Sequence, residues 1–500
     1  MIQNITVLTK DFKAKANAIY DKGRRNLAAM FACDEREVAS QFAIYCIFMG
    51  RDSREIIVLK TSPEGSGRFP SLTPDMPAAA WYEREIHDMF GLVPDGHPDL
   101  RRLVHHENWP EGAYPLRRDF EAVKQAAASV PHPLPQVAGE GIFEVPVGPI
   151  HAGIIEPGHF RFSQAGENVI NLEAKLFFTH RGIEKSVEDR KFEDAFYNVE
   201  RVCGACTVSH ALSYAQAVER LTCTEISRRA SYLRVLAAEM ERLYNHVGDI
   251  GNLCAGLGFA PGISHGSRIK ETLMRLNENV VGNRFLRGLV IPGGVAQDIS
   301  GEIAGEIRTI VKRTAADLKE TLSLLEKNDA FLDRVNSTGV LPQEAALDLG
   351  VVGVAARASG VNFDLRRDYP YEVYQEFDFK VPVYTDGDVA ARLWVRADEA
   401  FQTISLIEQC LAGMPDMRNI RSPLGMADPY QSALGWSESP RGANLHWVMA
   451  GENNRIFRCF IRSASYPNWP AVALAAPGNI IADFPLINKS FELCYACLDR

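Results

Sequence analysis

Four of the ten cysteines form two Cys-x-x-Cys pairs, Cys203–Cys206 and Cys494–Cys497. Two thiolates separated by two residues can close on one metal ion, so each pair is a candidate half-site. A redox dithiol or coincidence would explain a single pair equally well. Two pairs at opposite ends of one region favour a shared site of four thiolates, which suits structural zinc, an iron–sulfur cluster or a softer metal such as nickel.

The separation of the two pairs indicates what kind of site they build. Structural zinc ribbons bring their second pair back soon after the first, whereas more than half of this chain lies between Cys206 and Cys494. The pattern therefore predicts a buried site built by a whole domain. The other six cysteines are predicted to be reduced thiols in the core. They are Cys33, Cys46, Cys223, Cys254, Cys410 and Cys459.

The composition limits what kind of protein carries this site. The 500 residues have a net charge of −9, are 46% hydrophobic and 23% charged, and allow two to four domains. There is no apolar run long enough for a transmembrane helix and no secretory signal at the N-terminus. The net negative charge argues against a nucleic-acid partner. A cytosolic enzyme, or a peripheral subunit of a larger assembly, remains.

The elements that must position the cysteines follow from hydrophobic periodicity, and the predicted fold class is α+β. Residues 1–122 are expected to form a small α/β domain, with a helix over 12–32 and strands over 41–49 and 54–59. The Ala- and Pro-rich residues 123–141 are expected to form a linker. Residues 142–500 are expected to form a large, mainly helical domain with a β-rich entrance and an irregular tail from Pro415.

Three apolar stripes with spacings of three and four residues predict long helices in this second domain. Their members are Leu233, Leu236, Met240, Leu243, Val247 and Ile250; Ile303, Ile307, Val311, Ala315, Leu318 and Leu322; and Leu393, Ala397, Phe401, Ile404, Ile407 and Leu411. Such stripes form a core, and no chemistry is assigned to them.

The sequences around the cysteine pairs carry a family resemblance. RVCGAC at 201–206 and ELCYAC at 492–497 are accompanied by EPGHFRF at 156–162, HRGIEK at 180–185, ESPRG at 438–442 and YPNWP at 466–470. Together they resemble the large, catalytic subunit of energy-converting, membrane-associated nickel–iron hydrogenases, especially the formate hydrogenlyase large subunit. The second domain is thus expected to have the hydrogenase large-subunit fold, which is also that of the quinone-binding subunit of complex I.

The N-terminal region extends the resemblance to nearly the whole chain. WYEREIHDMFGL at 81–92, HPDLRRLV at 97–104 and PLRRDF at 115–120 resemble the small hydrophilic subunit of complex I. Formate hydrogenlyase large subunits carry this module fused ahead of the hydrogenase part. HPDLRRLV and PLRRDF contain no redox-capable cluster, and we expect them to form an interface with neighbouring subunits.

The resemblance implies a role for each cysteine. Cys203 and Cys494 would be terminal nickel ligands, while Cys206 and Cys497 would bridge nickel to an iron that carries cyanide and carbon monoxide. The thiolate chemistry agrees, because soft sulfur ligands suit nickel. Glu156 matches the family's proton gate, although a loop carboxylate in a salt bridge is the ordinary alternative.

Two charged residues near the cysteines are also assigned by the resemblance. Arg441 matches the arginine above the metals, where its donors would bind a cyanide ligand. Glu184 matches a ligand for an additional magnesium or iron in some hydrogenases. Those proteins supply a terminal histidine as co-ligand, and Arg500 stands in its place here, so we favour a Glu184–Arg500 ion pair over a second metal.

The predicted function is therefore reversible reduction of protons to hydrogen within a membrane-associated complex. Its implied partners are a complex I-like iron–sulfur small subunit, membrane-arm subunits, maturation factors, and an electron-donor module that contains formate dehydrogenase, carbon monoxide dehydrogenase or ferredoxin. The chain is expected to be cytoplasmic, on the inner face of the cell membrane. The alternatives are a complex I-related subunit that binds quinone or transmits conformational change, and a scaffold subunit stabilised by zinc.

The C-terminal segment departs from the family pattern in two respects. The usual Asp-Pro before the second pair is replaced by Glu492 and Leu493. We expect a carboxylate that reaches farther toward Arg441, a freer tail, and intact metal binding with an altered rate or overpotential. The sequence ends at Arg500, which resembles a mature form or one made without the C-terminal extension of hydrogenase precursors.

Overall fold

The N-terminal region is a four-stranded sheet with helices. The computed structural model describes residues 2–65, 67–122, 134–151, 155–417 and 419–500. The sheet order is β1-β4-β3-β2, with β1 parallel to β4 and the other neighbours antiparallel. The elements are β1 (Ile2–Val7), α1 (Thr9–Ile19), β2 (Arg25–Glu35), α2 (Arg36–Ala39), β3 (Gln41–Gly50), β4 (Ile56–Thr61), β5 (Arg68–Pro70), α3 (Ala80–Phe90) and β6 (Val93–Asp95).

The helix predicted over residues 12–32 is wrong in its second half. Helix α1 ends at Ile19, and residues from Arg25 onward belong to strand β2. Almost every residue of β2 is buried, because both faces of the strand are covered. A strand buried on both faces has no alternating pattern, so its apolar run cannot be told from a helix by periodicity. The strands predicted over 41–49 and 54–59 are present as β3 and β4.

The second region begins with an antiparallel sheet and continues as helices, as predicted. The sheet consists of β7 (Ile142–Val147), β8 (His159–Ala165) and β9 (Asn168–Lys175). The elements that follow are α4 (Ile183–Ser186), α5 (Phe192–Val199), α6 (Thr207–Leu221), α7 (Arg228–Ala255), α8 (Ala260–Val281), β10 (Val290–Ile291), β11 (Gly294–Val295), α9 (Gly301–Glu326), α10 (Asp329–Val335), α11 (Gln343–Asp348), α12 (Gly353–Ala358), α13 (Leu365–Asp368) and α14 (Val389–Gly413). The three apolar stripes lie on α7, α9 and α14.

The tail is not irregular, which corrects the prediction for residues after Pro415. It contains an antiparallel sheet of β12 (Ser432–Ser439), β13 (Gly442–Ala450) and β14 (Ile456–Arg462), followed by α15 (Ser465–Ala475), α16 (Phe484–Phe491) and α17 (Tyr495–Asp499). Every residue of β13 and β14 is buried. The sheet is central because helix α6 packs on β12 and β13 while the N-terminal region covers other parts of it.

The two regions share one continuous hydrophobic core. Phe31 of β2 stacks on Phe460 of β14 with ring centroids 4.2 Å apart and lies 4.9 Å from Trp447 of β13. The division at residues 123–141 stays a prediction. Residues 123–133 lie outside the described part, and residues 134–139 have no regular structure. No helix among the described residues is long and apolar enough to cross a membrane.

Five of the six single cysteines are buried, as predicted for core thiols. Cys223 is the exception. It is exposed and lies just after the end of helix α6. It adopts a positive φ of 48° in the turn that leads to α7.

Candidate metal centre

The fold brings the two cysteine pairs together. The sulfur atoms of Cys203, Cys206, Cys494 and Cys497 all lie within 4.8 Å of one another. Cys494 is partly exposed and the other three are buried. In the described part of the chain, this is the one group of three or more histidine, cysteine or acidic side chains placed to hold a metal ion.

Each pair lies at the start of a helix, and a hydrogen bond of the second or first cysteine holds each of these helix starts in place. Cys206 precedes α6, and its backbone N–H lies 3.2 Å from the Cys203 sulfur. Cys494 precedes α17, and its N–H donates to Ser465 Oγ at 3.1 Å. The N-terminus of a helix presents free N–H groups and a partial positive charge, which favours thiolate over thiol.

The carboxylate of Glu241 anchors the N-terminus of α6 beside the first pair. It accepts the backbone N–H groups of Val208 and Ser209 at 2.6 and 3.0 Å and the Ser209 hydroxyl at 2.6 Å. Burial raises the pKa of Glu241 to about 7 in spite of these three donors. A side chain from α7 thus takes the place of a local capping residue and fixes the helix that carries Cys206.

The electrostatics of the four sulfurs fit a bound cation. Hydrogen bonds from the other three thiols lower the pKa of Cys494 far below its ordinary value. The pKa of Cys206 is raised, chiefly by its hydrogen bond with Cys203, and that of Cys497 is raised, chiefly by burial. Four thiolates so close together repel one another unless a metal compensates their charge. The buried set of soft donors suits nickel with a second metal and also suits zinc.

Arg441 lies close to the cysteines and is held by Asp249. Its Nη2 donates to Asp249 Oδ1 at 3.0 Å, and its Nη1 donates to the other carboxylate oxygen. Burial alone would lower the pKa of Arg441, but the negative charges of Asp249 and Cys494 keep it well above its ordinary value. The guanidinium therefore remains charged near the sulfurs, and its role above the metals stays a prediction.

Glu156 lies on a loop that touches the second pair. A Cβ at Gly158 of the same loop would approach the Tyr495 ring to 2.5 Å, so this glycine lets the loop lie directly against α17. Burial raises the pKa of Tyr495 to about 12, and the charge of Glu156 contributes. Glu156 itself is exposed in the chain alone. His159 Nδ1 lies 3.3 Å from the carbonyl oxygen of Gly148, a contact that helps to fix this loop.

Glu184 and Arg500 form the expected ion pair, with Nη1 and Oε1 2.9 Å apart. The second Glu184 oxygen lies 2.8 Å from Arg458 Nη2. Arg500 also donates from Nη2 to both oxygens of Glu85 in α3, each at 2.7 Å. Burial would raise the pKa of Glu184, but Arg458 and Arg500 lower it. Two guanidinium groups already occupy the carboxylate that a second metal would need.

The segment that replaces Asp-Pro is held in place. Glu492 ends α16 with a left-handed φ of 51°, and its Oε1 accepts a 2.5 Å hydrogen bond from Asn252 Nδ2. Leu493 is buried. Burial and the neighbouring Asp249 raise the pKa of Glu492 to about 7, although Arg441 lowers it. Side-chain contacts hold this segment without a proline, and the expectation of a freer tail stays a prediction.

HPDLRRLV and PLRRDF lie against the chain's own second region. His106, just after the first motif, contacts the Leu176 carbonyl at 2.8 Å. Arg101 Nη1 lies 3.6 Å from Glu173 Oε2, and Arg118 Nη2 lies 3.1 Å from Asp189 Oδ1. These segments form an internal interface, and their predicted contact with other subunits remains a prediction.

Three residues of the site were not assigned from sequence. They are His210, Asp249 and His446. His210 follows Cys206 by one helical turn, and its Nε2 lies 3.3 Å from the Cys497 sulfur. That spacing is a usable signal, since residues four apart share a helix face. Asp249 and His446 have no comparable signal, because only folding brings α7 and β13 to the cysteines.

Different parts of the chain match different protein families. Residues 5–126 match the family of the respiratory-chain NADH dehydrogenase 30 Kd subunit. Residues 181–255, with the first pair, match the nickel-dependent hydrogenase family. Residues 257–424 and 420–500, with the second pair, match the respiratory-chain NADH dehydrogenase 49 Kd subunit.

Curated relatives match nearly the full length. Hydrogenase-4 component G of Escherichia coli (strain K12) is 35% identical over 95% of this chain and 84% of its own length. Formate hydrogenlyase subunit 5 of the same strain is 33% identical over 99% of this chain and 88% of its own length. An NADH-quinone oxidoreductase subunit of Bacteroides fragilis is 30% identical over 89% of this chain and 88% of its own length.

Proposed function

Since the chain belongs to the family of energy-converting hydrogenase large subunits with a fused complex I-like N-terminal module, we propose that it is the catalytic subunit of a nickel–iron hydrogenase complex. It would catalyse reversible reduction of two protons by two electrons to hydrogen, in a complex of the formate hydrogenlyase type. The observation that carries this proposal is the gathering of four cysteine sulfurs within 4.8 Å in the interior of the fold.

The roles of the cysteines follow from their chemistry and from the resemblance. Cys203 and Cys494 would hold nickel as terminal ligands, and Cys206 and Cys497 would bridge it to an iron with cyanide and carbon monoxide ligands. When bound, this centre supplies the redox chemistry between protons and hydrogen. Arg441, charged and fixed by Asp249, would bind a cyanide ligand through its remaining donor capacity.

Glu156 is the proposed proton carrier between the centre and the outside. What supports this role is the packing of its loop, at Gly158, on the ring of Tyr495, which lies between Cys494 and Cys497. Glu156 is exposed in the chain alone. A neighbouring protein docked on this face would bury Glu156 partly.

Electrons would come from another subunit. The described residues contain no further cysteine group that could hold an iron–sulfur relay. We therefore propose a complex I-like iron–sulfur small subunit as the direct partner, with membrane-arm subunits and an electron-donor module beyond it. The chain would lie at the inner face of the cell membrane through these partners.

A second candidate is supported by the NADH-quinone oxidoreductase relative and by the matches to the 49 Kd subunit. In that case the chain would bind quinone or transmit conformational change, and the cysteines would be vestigial or hold zinc. Elemental analysis of the complex, purified with its partners and maturation factors, separates the two. About one nickel per chain, with the cyanide and carbonyl infrared bands of an iron at the same site, supports the hydrogenase, whereas the partner's iron–sulfur clusters add iron beyond the one expected beside nickel. One zinc and no nickel would overturn it.

Serine substitutions test the predicted bridging positions. Cys206→Ser and Cys497→Ser replace a soft sulfur with a harder oxygen, so hydrogen production should fall to background and the centre should not assemble. Cys459→Ser, another buried cysteine outside the site, is the matched control and should retain nickel and activity. Wild-type turnover in Cys206→Ser would contradict the assignment.

A further inference from the structure

Two buried histidines form a chain that ends on a cysteine sulfur. His210 of α6 has its Nε2 3.3 Å from Cys497 Sγ and its Nδ1 3.0 Å from His446 Nε2. Both residues are fully buried. The close packing of α6 on the sheet brings them together. A Cβ at Gly435, the residue paired with His446 on β12, would lie 1.9 Å from the Ser213 carbonyl oxygen of α6.

Neither ring has a carboxylate partner among the hydrogen bonds of the described residues. The facing nitrogens, His210 Nδ1 and His446 Nε2, lie 3.0 Å apart, so only one of them can carry a hydrogen. Every imidazole ring carries at least one N–H, so the pair has two possible arrangements.

In the first arrangement, His446 Nε2–H donates to His210 Nδ1, and His210 Nε2–H is left to donate to Cys497. In the second, His210 Nδ1–H donates to His446, and the bare His210 Nε2 faces the sulfur. His446 Nδ1 has no hydrogen-bond partner in the described structure. The second arrangement would leave a buried N–H there without an acceptor, whereas the first leaves only a bare nitrogen. Buried donors without partners are the rarer of the two in proteins.

We infer that His446 is a positioning residue for the cysteine site, because its Nε2–H donates to His210 Nδ1 and so makes His210 Nε2–H the donor to the Cys497 sulfur. A hydrogen bond to a ligand sulfur withdraws electron density from it, and such outer partners tune a metal site. The effect on a nickel–iron centre rests on the proposed function. The hydrogen-bond arrangement itself does not.

The direct test is nitrogen NMR of histidine-labelled, metal-free full-length chain, with His210→Gln used to assign the His210 signals. In the wild type, Nε2 of His210 should carry the hydrogen and Nδ1 should be bare. His446→Gln keeps an amide N–H that can reach His210 and should preserve this pattern. His446→Asn keeps the amide but is one methylene too short, so the single tautomer should be lost. His97→Gln, at another buried histidine, is the control.

Two results would overturn the inference: a hydrogen on His210 Nδ1 in the wild type, or an unchanged His210 pattern in His446→Asn. The wild-type spectrum is decisive even if that variant does not fold. In the loaded complex, His446→Asn should shift the infrared bands of the iron ligands and His446→Gln should restore them. Wild-type complex without such bands would refute the proposed function, while the NMR result would still stand for the histidine pair.

Discussion

At the scale of single residues, the site combines groups whose chemistry is visible in the sequence with groups whose role comes from position. The cysteines and Arg441 belong to the first kind. Asp249 belongs to the second, since it forms an ion pair with Arg441 from the last third of helix α7. Asp249 and Cys494 together keep Arg441 charged although it is buried. The roles of Glu156, and of Glu492 and Leu493 in place of Asp-Pro, can be tested by substituting these residues.

Glu156→Gln keeps the shape and hydrogen bonding of the side chain but removes its ionisable group. If Glu156 carries protons, hydrogen production and isotope exchange should fall by about 10²-fold or more, while reduction of the centre by its partner and the nickel content persist. Glu167→Gln, an exposed glutamate in the β8–β9 turn, should leave turnover unchanged. Near-normal turnover in Glu156→Gln would remove this residue from the mechanism.

The double substitution Glu492→Asp with Leu493→Pro tests the departure from the family pattern. A proline disfavours many backbone conformations of the residue before it, and Glu492 has a left-handed φ of 51°. The shorter carboxylate would also lose its contact with Asn252. We expect an altered rate or overpotential with unchanged metal content, measured by turnover in both directions and by elemental analysis. The single variants Glu492→Asp and Leu493→Pro separate the effect of the carboxylate from that of the backbone. Unchanged kinetics in both single variants and in the double variant would show that the two replacements do not affect function.

At the scale of elements, helix α7 organises the interior. Its apolar stripe was predicted, but its polar face is buried as well. The residues of that face are Glu239, Arg242, His246 and Asp249. Glu239, His246 and Asp249 pair with charged residues of α13, of α14 and of the turn between β12 and β13. Arg357 of α12 extends this network, because it contacts Glu399 at 2.6 Å and Glu438 at 2.9 Å. Buried charges are tolerated because each has opposite charges and hydrogen bonds around it.

Arg357→Met tests this network. It removes the guanidinium between Glu399, Glu438 and Asp364, which leaves buried carboxylates without compensation. Breaking such a pair costs about 3–5 kcal/mol, so the midpoint of thermal unfolding of the full chain should fall clearly. Arg313→Met removes an arginine whose side chain is 70% exposed and pairs with Asp317. It should cost about 0–1 kcal/mol. Equal shifts in the two variants would contradict a structural role for the network.

At the scale of the whole molecule, the N-terminal region is part of the environment of the second cysteine pair. Glu85 of α3 holds Arg500, three residues beyond Cys497. Asp499 accepts the backbone N–H groups of Phe177 and Thr179 at 2.9 and 2.8 Å. The helix that carries Cys497 is thus fixed by residues from both regions.

Glu85→Gln weakens this link without changing its shape. The loss of a charge-assisted contact, on the order of 1–3 kcal/mol, should raise amide exchange in residues 495–499 by about tenfold or more and reduce nickel retention. Mass-spectrometric hydrogen exchange of the full chain measures this. Glu55→Gln, an exposed pair with Arg25 in the same region, is the matched control. Unchanged protection of residues 495–499 would show that the ion pair of Arg500 with Glu184, which Arg458 also contacts, holds the C-terminal helix without Glu85.

The sequence by itself determined the cysteine site, the long helices and the family. Cys-x-x-Cys spacing and helical periodicity are local properties, so they survive in a linear pattern. Only the tertiary structure decided that His210 meets Cys497, that His446 meets His210, that Asp249 binds Arg441 and that Glu85 binds Arg500. It also decided that β2 and the tail form strands buried on both faces. Contacts between residues far apart in the chain leave no local period, and strands covered on both sides lose the alternation by which they are recognised.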